Sequence, residues 1–261
     1  MNIVGIIPAR FASTRLMGKL LANIEGKPLI QHTYESVKKS KLMNDVIIAV
    51  DDEKLYDVVR GFGANAKLTP KELLSSTDRV AYVAEKMSAD VFLNIPGAQP
   101  FISSKIIDEV IEPHLFDPEI SITTIAKQID LVDELKSTAI TKVVFDYNNY
   151  ALYFSSSPIP FVKNAKTNLE RILSEEIFKH IGIYAYSKEI LSTISKLKPT
   201  DLERIEKLEQ LRLLEHGLRI KIVVTEEESL SVYTPSDLEY ARRHYRNIQM
   251  RGKGWDRANW I

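Results

Sequence analysis

The 261 residues carry 35 basic and 35 acidic side chains, so no net charge draws the chain to a polyanion such as DNA. Zero cysteines exclude disulfides, thiolate catalysis and cysteine-ligated zinc or iron–sulfur centres. No apolar stretch approaches the ~20 residues of a membrane span and no basic segment leads an apolar run at the start, so the expectation is a soluble cytoplasmic protein with no membrane partner.

Ile3-Val4-Gly5-Ile6-Ile7 is an apolar run of strand length that empties into Pro8-Ala9-Arg10-Phe11-Ala12-Ser13-Thr14-Arg15-Leu16-Met17-Gly18-Lys19. A buried strand thus delivers a cationic loop to the carboxyl edge of a sheet, where ligands sit in open α/β folds. Arg10, Arg15 and Lys19 can surround an anion while turn N–H groups cradle phosphate oxygens. On charge alone the loop is equally well a solvated strand-to-helix connection. Further apolar runs at 46–50 and 91–95 suit strands buried on both faces, with helical patterns at 29–43 and 77–87 between them. This alternation predicts a doubly wound, mostly parallel α/β sheet. Runs at 142–145 and 151–154 flank Asp146-Tyr147-Asn148-Asn149 and predict a hairpin. Thr200 and Glu203 form a capping-box pattern, with Leu202, Ile205, Leu208 and Leu211 as one stripe and Gly217 as a stop. Thr234 before Pro235 marks a second helix start, and the tail from 251 has no periodicity but holds both tryptophans.

The string Pro-Ala-Arg-x-x-Ser-Thr-Arg-Leu-x-Gly-Lys resembles the nucleotide-binding loop of sugar-activating cytidylyltransferases, most closely the CMP-Kdo synthetases (3-deoxy-manno-octulosonate cytidylyltransferases). The resemblance continues through Gly26-Lys27-Pro28-Leu29-Ile30, Tyr150-Ala151-Leu152-Tyr153-Phe154-Ser155, Ile159-Pro160, His180-Ile181-Gly182-Ile183-Tyr184 and Leu208-Glu209-Gln210-Leu211-Arg212. It implies a Rossmann-like nucleotidyltransferase domain over 1–240, a smaller mixed-sheet region near 125–190 for the sugar acid and dimer contact, and an extension over 241–261. It also implies CTP bound by Pro8, Ala9, Arg10, Ser13, Thr14, Arg15, Lys19, Ser75 and Thr77, with Arg15 and Lys19 offsetting the leaving group's charge. His180, Tyr184, Glu209 and Gln210 match positions that contact the sugar acid. Without the resemblance, Ser75 to Asp78 reads as a helix-cap cluster, His180 as a structural histidine, and Glu209 and Gln210 as a solvated helix face.

Several departures stand out, Pro96 and Gln99 among them, where the family has the glutamine that faces the sugar acid and a glutamate. The family's magnesium-binding segment Asn-x-Gln-Gly-Asp-Glu-Pro is Asn94-Ile95-Pro96-Gly97-Ala98-Gln99-Pro100 here, so the aspartate has become Ala98. A second metal aspartate has become Tyr233, and an arginine expected after Phe-Ser is Ser156. Neither alanine nor tyrosine replaces a carboxylate for Mg2+. Asp51, at the end of a strand on the ligand edge, is the best substitute and equally a cap for the following helix. Ser76 also stands where the family motif Ser-Gly-Thr-Glu-Arg has glycine. The implied activity is transfer of CMP from CTP to a 2-keto-3-deoxy sugar acid, by a homodimer, for lipopolysaccharide or surface polysaccharide synthesis. The competing reading is a catalytically impaired relative that binds a nucleotide or sugar. A nicotinamide enzyme fails because no Gly-x-Gly-x-x-Gly follows the first strand.

Overall fold

The computed structural model describes residues 1–12, 18–73 and 75–251. In chain order the elements are β1 (Ile3–Ala9), β2 (Asn23–Ile24), β3 (Lys27–Pro28), α1 (Leu29–Val37), β4 (Asp45–Val50), α2 (Glu53–Gly61), β5 (Asn65–Leu68), α3 (Ser76–Ala84) and β6 (Val91–Asn94). Next come α4 (Ser104–Phe116), β7 (Ile122–Gln128), α5 (Val132–Lys136), β8 (Lys142–Phe145), β9 (Ala151–Ser155), α6 (Asn168–Ser174) and β10 (Phe178–Ser187). The chain continues through α7 (Lys188–Ile194), α8 (Asp201–Glu206), α9 (Gln210–Glu215), β11 (Lys221–Val224) and α10 (Pro235–Arg251).

One sheet runs β11-β7-β10-β6-β1-β4-β5. The β6-β1-β4-β5 half is parallel; β1, β4 and β6 are the continuous apolar runs read in the sequence, while the edge strand β5 is mostly exposed and was not read. Successive residues of β1 serve opposite layers. Ile3 and Ile7 pack with α1, α2, α4 and α10, whereas Val4 and Ile6 pack with α3, α7 and α9. That two-sided burial is what a doubly wound sheet requires. β10 breaks the pattern, running antiparallel between β6 and β7, and the expected hairpin β8–β9 attaches to its start.

The stripe around residue 205 is not one helix. Lys207 takes a left-handed conformation (φ +59°) that separates α8 from α9, leaving Ile205 75% exposed. Glu203 still accepts the Thr200 N–H at 3.2 Å, and Gly217 (φ +77°) ends the α9 segment. The first long helix also stops earlier than its pattern, at Val37, because the chain must return to β4, where Asn44 Oδ1 accepts the Ile3 N–H at 2.8 Å. Trp255 and Trp260 lie outside the described residues.

Candidate active site

At the carboxyl edge, Ala9 ends β1 fully buried and Arg10 projects beyond it. Ala9 is in register with Val50 of the neighbouring parallel strand, so Asp51 emerges beside the loop. Its carboxylate accepts the Phe11 N–H at 2.8 Å and faces Arg10 Nε at 3.7 Å and Arg79 Nη2 at 3.6 Å. Arg79 is fully buried and also donates to the carbonyls of Pro70 (3.3 Å) and Leu73 (3.2 Å) and to the Thr69 hydroxyl. A buried guanidinium thus fixes the carboxylate that fixes the start of the loop. The helix-cap role falls to Asp52, which accepts the Lys54 N–H at 2.9 Å. Ser13, Thr14 and Arg15 lie outside the described residues.

Lys19 opens a short 3-10 turn after Gly18. Its Nζ stands 5.0 Å from the centre of the Tyr233 ring and 3.4 Å from the Val232 carbonyl. The Val232 N–H in turn donates to the Ala98 carbonyl at 2.9 Å. Gly97 lets this segment lie close against β1 and α1, since a Cβ there would lie 3.0 Å from Ile30 Cδ1 and 3.3 Å from the Pro8 carbonyl. Positions 98 and 233 are therefore neighbours beside the loop lysine, but they offer a methyl group and a phenol. Asp51 is already engaged by two guanidinium groups and an N–H, which compete with a cation. Residues 13–17 contain no acid, and among the described residues no cluster of three histidine, aspartate or glutamate side chains could hold a metal. These donors do not fit a protein-held magnesium ion, which takes oxygen ligands in near-octahedral geometry.

A cavity of about 890 Å³ opens on the other side of Tyr233. Gln99, Lys179, His180, Tyr240 and Arg243 are among its walls. His180 reaches it through a bulge in β10, where pairing with β7 slips between Ile181 and Tyr184. In an unbroken strand residues four apart are separated by roughly 13 Å. Here the His180 and Tyr184 rings meet with centres 5.3 Å apart. The Thr124 hydroxyl donates to the Ile183 carbonyl (2.6 Å), so it must accept from His180 Nε2 (2.8 Å). That sets the imidazole as the neutral Nε2–H tautomer, and burial pushes its pKa down to about 3. Tyr184 lies deeper, 3% exposed and stacked on Tyr186, and burial holds its hydroxyl protonated.

Charged side chains brace the cavity walls. Lys179 bridges Glu134 and Glu228 (3.4 Å), and Lys127 meets Glu228 at 3.5 Å. Lys142, fully buried, donates to the carbonyls of Ser137 (2.6 Å), Ile140 (2.8 Å) and Ser156 (3.1 Å). Three acceptors match the three hydrogens of an ammonium group. Glu206 holds the same turn from the other side, accepting from the Ser155 hydroxyl (2.6 Å) and the Ser156 N–H (3.0 Å).

Glu209 and Gln210 lie apart from His180, in a narrow crevice with Ser75 and Thr77. Ser75 caps α3, accepting the Asp78 N–H at 2.9 Å. Glu209 accepts from the Ser76 hydroxyl at 2.6 Å and from Thr77 at 3.1 Å, and Ser76 accepts from Asn94 at 3.0 Å. The serine that replaces the motif's glycine thus ties Glu209, read as a sugar-acid residue, to the pair read as nucleotide-binding. The sequence reading passed over Lys179 and Arg243. Arg243 had one available signal, its spacing of three from Tyr240 and six from Asp237.

A phosphate-type loop at the sheet edge and a polar cavity beside it define a nucleotide-dependent α/β transferase. Residues 4–222 match the model of the family described as Cytidylyltransferase. A 3-deoxy-manno-octulosonate cytidylyltransferase of Geobacter sulfurreducens is 44% identical over 243 residues, spanning 92% of this chain and 97% of the relative. The enzyme of the same name from Chloroherpeton thalassium is 45% identical over 240 residues (91% and 95%). A solved CMP:2-keto-3-deoxy-manno-octonic acid synthetase complexed with CTP superimposes with a TM-score of 0.87 at 35% identity, covering 95% of this chain and 99% of its own. The chain belongs to the cytidylyltransferase family.

Proposed function

We propose that the chain transfers CMP from CTP to a 2-keto-3-deoxy sugar acid, 3-deoxy-manno-octulosonate or a modified form, releasing pyrophosphate for lipopolysaccharide or surface polysaccharide synthesis in the cytoplasm. One observation carries this reading: Tyr233 lies under the Lys19 ammonium and also lines the large cavity, so nucleotide loop and acceptor space meet at one residue. Similarity to named synthetases over more than nine-tenths of the chain favours a transferase over a protein that only binds.

In this reaction the anomeric hydroxyl oxygen of the acid attacks the α-phosphorus. The bond to the α,β-bridging oxygen breaks, pyrophosphate departs with that oxygen, and the hydroxyl proton passes to solvent. Such transfers ask a protein for positioning and charge neutralisation. Arg10 and Lys19 supply positive charge at the two ends of the loop, and Arg15 belongs to the same set, with Pro8, Ala9, Ser13, Thr14, Ser75 and Thr77 completing the nucleotide contacts. His180 faces the acceptor as a neutral imidazole, and Tyr184, Glu209 and Gln210 complete the sugar-acid contacts. Cytidylyltransferases of this family generally use magnesium, which offsets phosphate charge. With Ala98 and Tyr233 at the expected anchors, that work falls here on the loop cations. Residues 1–240 are the transferase unit that pairs through the 125–190 region, and 241–261 extends it, the first part of the extension continuing α10 against the same body.

The test is pyrophosphate release and CMP-sugar formation from CTP and 3-deoxy-manno-octulosonate. The same protein with Lys19→Ala should bind CTP about 10- to 100-fold more weakly while its melting stays unchanged, the loss of one charge-assisted phosphate contact. If the wild type forms no CMP-sugar with this acid or its modified forms, the reading fails.

A further inference from the structure

The acceptor cavity has two needs that its own walls leave unmet. Gln99 is 3% exposed and donates its Nε2 to the Ser231 hydroxyl at 3.3 Å, yet among the described residues its Oε1 has no hydrogen-bond partner. The buried Ser229 hydroxyl is in the same condition, and both line the cavity. A buried polar atom left unsatisfied is costly, so a wall carrying two of them suits a ligand with hydroxyl groups.

The second need is one of charge. Asp237, Tyr240 and Arg243 stand at i, i+3 and i+6 on the cavity face of α10, while Leu238 and Ala241 pack into the core. The other charged cavity groups are committed. Lys179 is neutralised by Glu134 and Glu228, and Asp237 accepts the N–H groups of Tyr233 and Thr234 at 2.8 Å each. Arg243 makes no ion pair among the described residues; its guanidinium lies 6.0 Å from the centre of the Tyr240 ring. Of the charged groups that line the cavity, Arg243 is thus the one held neither in an ion pair nor by backbone N–H groups among the described residues, and its forked cation matches a carboxylate through two parallel hydrogen bonds. Ser156, where the resemblance led to an arginine, supplies no guanidinium.

We propose that Arg243 and Gln99 select the acceptor, Arg243 by its carboxylate and Gln99 by a hydroxyl. The assignment rests on the transfer reaction proposed above and adds which residues read the acid. It draws on the C-terminal helix, beyond the residues 4–222 that match the family model.

The experiment uses the full chain loaded with α,β-methylene-CTP, which holds the nucleotide site without turnover. Binding of 3-deoxy-manno-octulosonate and of its C1 amide is measured by calorimetry for the wild type, Arg243→Gln, Arg243→Lys and Gln99→Leu. The wild type should prefer the acid by about 10- to 100-fold, and Arg243→Gln should erase that preference by weakening the acid alone. Arg243→Lys should recover part of it, since lysine keeps the charge and loses the fork. Gln99→Leu should weaken acid and amide alike, and affinity for the CTP analogue should stay constant throughout. An unchanged acid-to-amide ratio in Arg243→Gln overturns the assignment while leaving the reaction intact, provided the wild type still forms CMP-sugar from CTP. A wild type that binds neither sugar and forms no CMP-sugar overturns both.

Discussion

Tyr233 shows how one side chain sets the electrostatics of a site. Its ring accepts the Lys19 ammonium at 5.0 Å, an interaction worth about 0.5–2 kcal/mol depending on desolvation. A carboxylate in its place would pull Lys19 into an ion pair or share a metal with the nucleotide. Restoring both acids, Ala98→Asp with Tyr233→Asp, should therefore install magnesium dependence. Pyrophosphate release should rise in the double variant and less in either single one, because one preorganised stabilising group is worth on the order of 10²–10³ in rate. Equal rates with and without magnesium in the double variant would show that the loop cations suffice. These two positions were legible in the sequence because a motif frames them. The unmet Gln99 oxygen was not, since it arises only when the segment around 231 crosses the one around 98.

Among the elements, α10 does the most that its sequence conceals. Its polar face enters the cavity while its other face sets Tyr245 and His244 against Phe101, and Tyr245 against His32. Burial lowers the pKa of both histidines, and it pushes His114 down to about 4 and His180 to about 3. Each is therefore neutral in the fold and takes a proton more readily once unfolded. Stability should be complete above about pH 6.5, the unfolded value, and be lost as pH falls from there toward 4 and 3. Urea midpoints measured at pH 7.5, 6.5 and 5.5 should descend in that order, and a flat or rising series would falsify the assignment of neutral buried imidazoles. Helix starts such as Pro235 were readable because capping is local chemistry. The break at Lys207 was not, because its left-handed turn satisfies tertiary packing of α8 and α9 against β9 rather than any propensity of lysine.

At the scale of the whole molecule, the apolar parallel half was readable as a doubly wound sheet, whereas the insertion of β10 between β6 and β7 depended on long-range pairing that no local pattern encodes. The middle region also leaves Phe161 (75%), Leu169 (54%) and Leu173 (76%) exposed. Such a patch suits the proposed two-fold homodimer. Light scattering at micromolar concentration should give a dimer mass, and Phe161→Glu with Leu173→Glu should shift it to a monomer; a wild type that is already monomeric removes the pairing. Lys142 carries a last consequence for the folded body. Three carbonyls converge on one buried ammonium and use its three N–H bonds, with the cation tethered to β8 by its own side chain. The turn at Ser156 and the loop beside the cavity are thus organised by a covalently tethered cation that cannot wash out, so exchanging sodium for potassium in the medium should leave their shape unchanged.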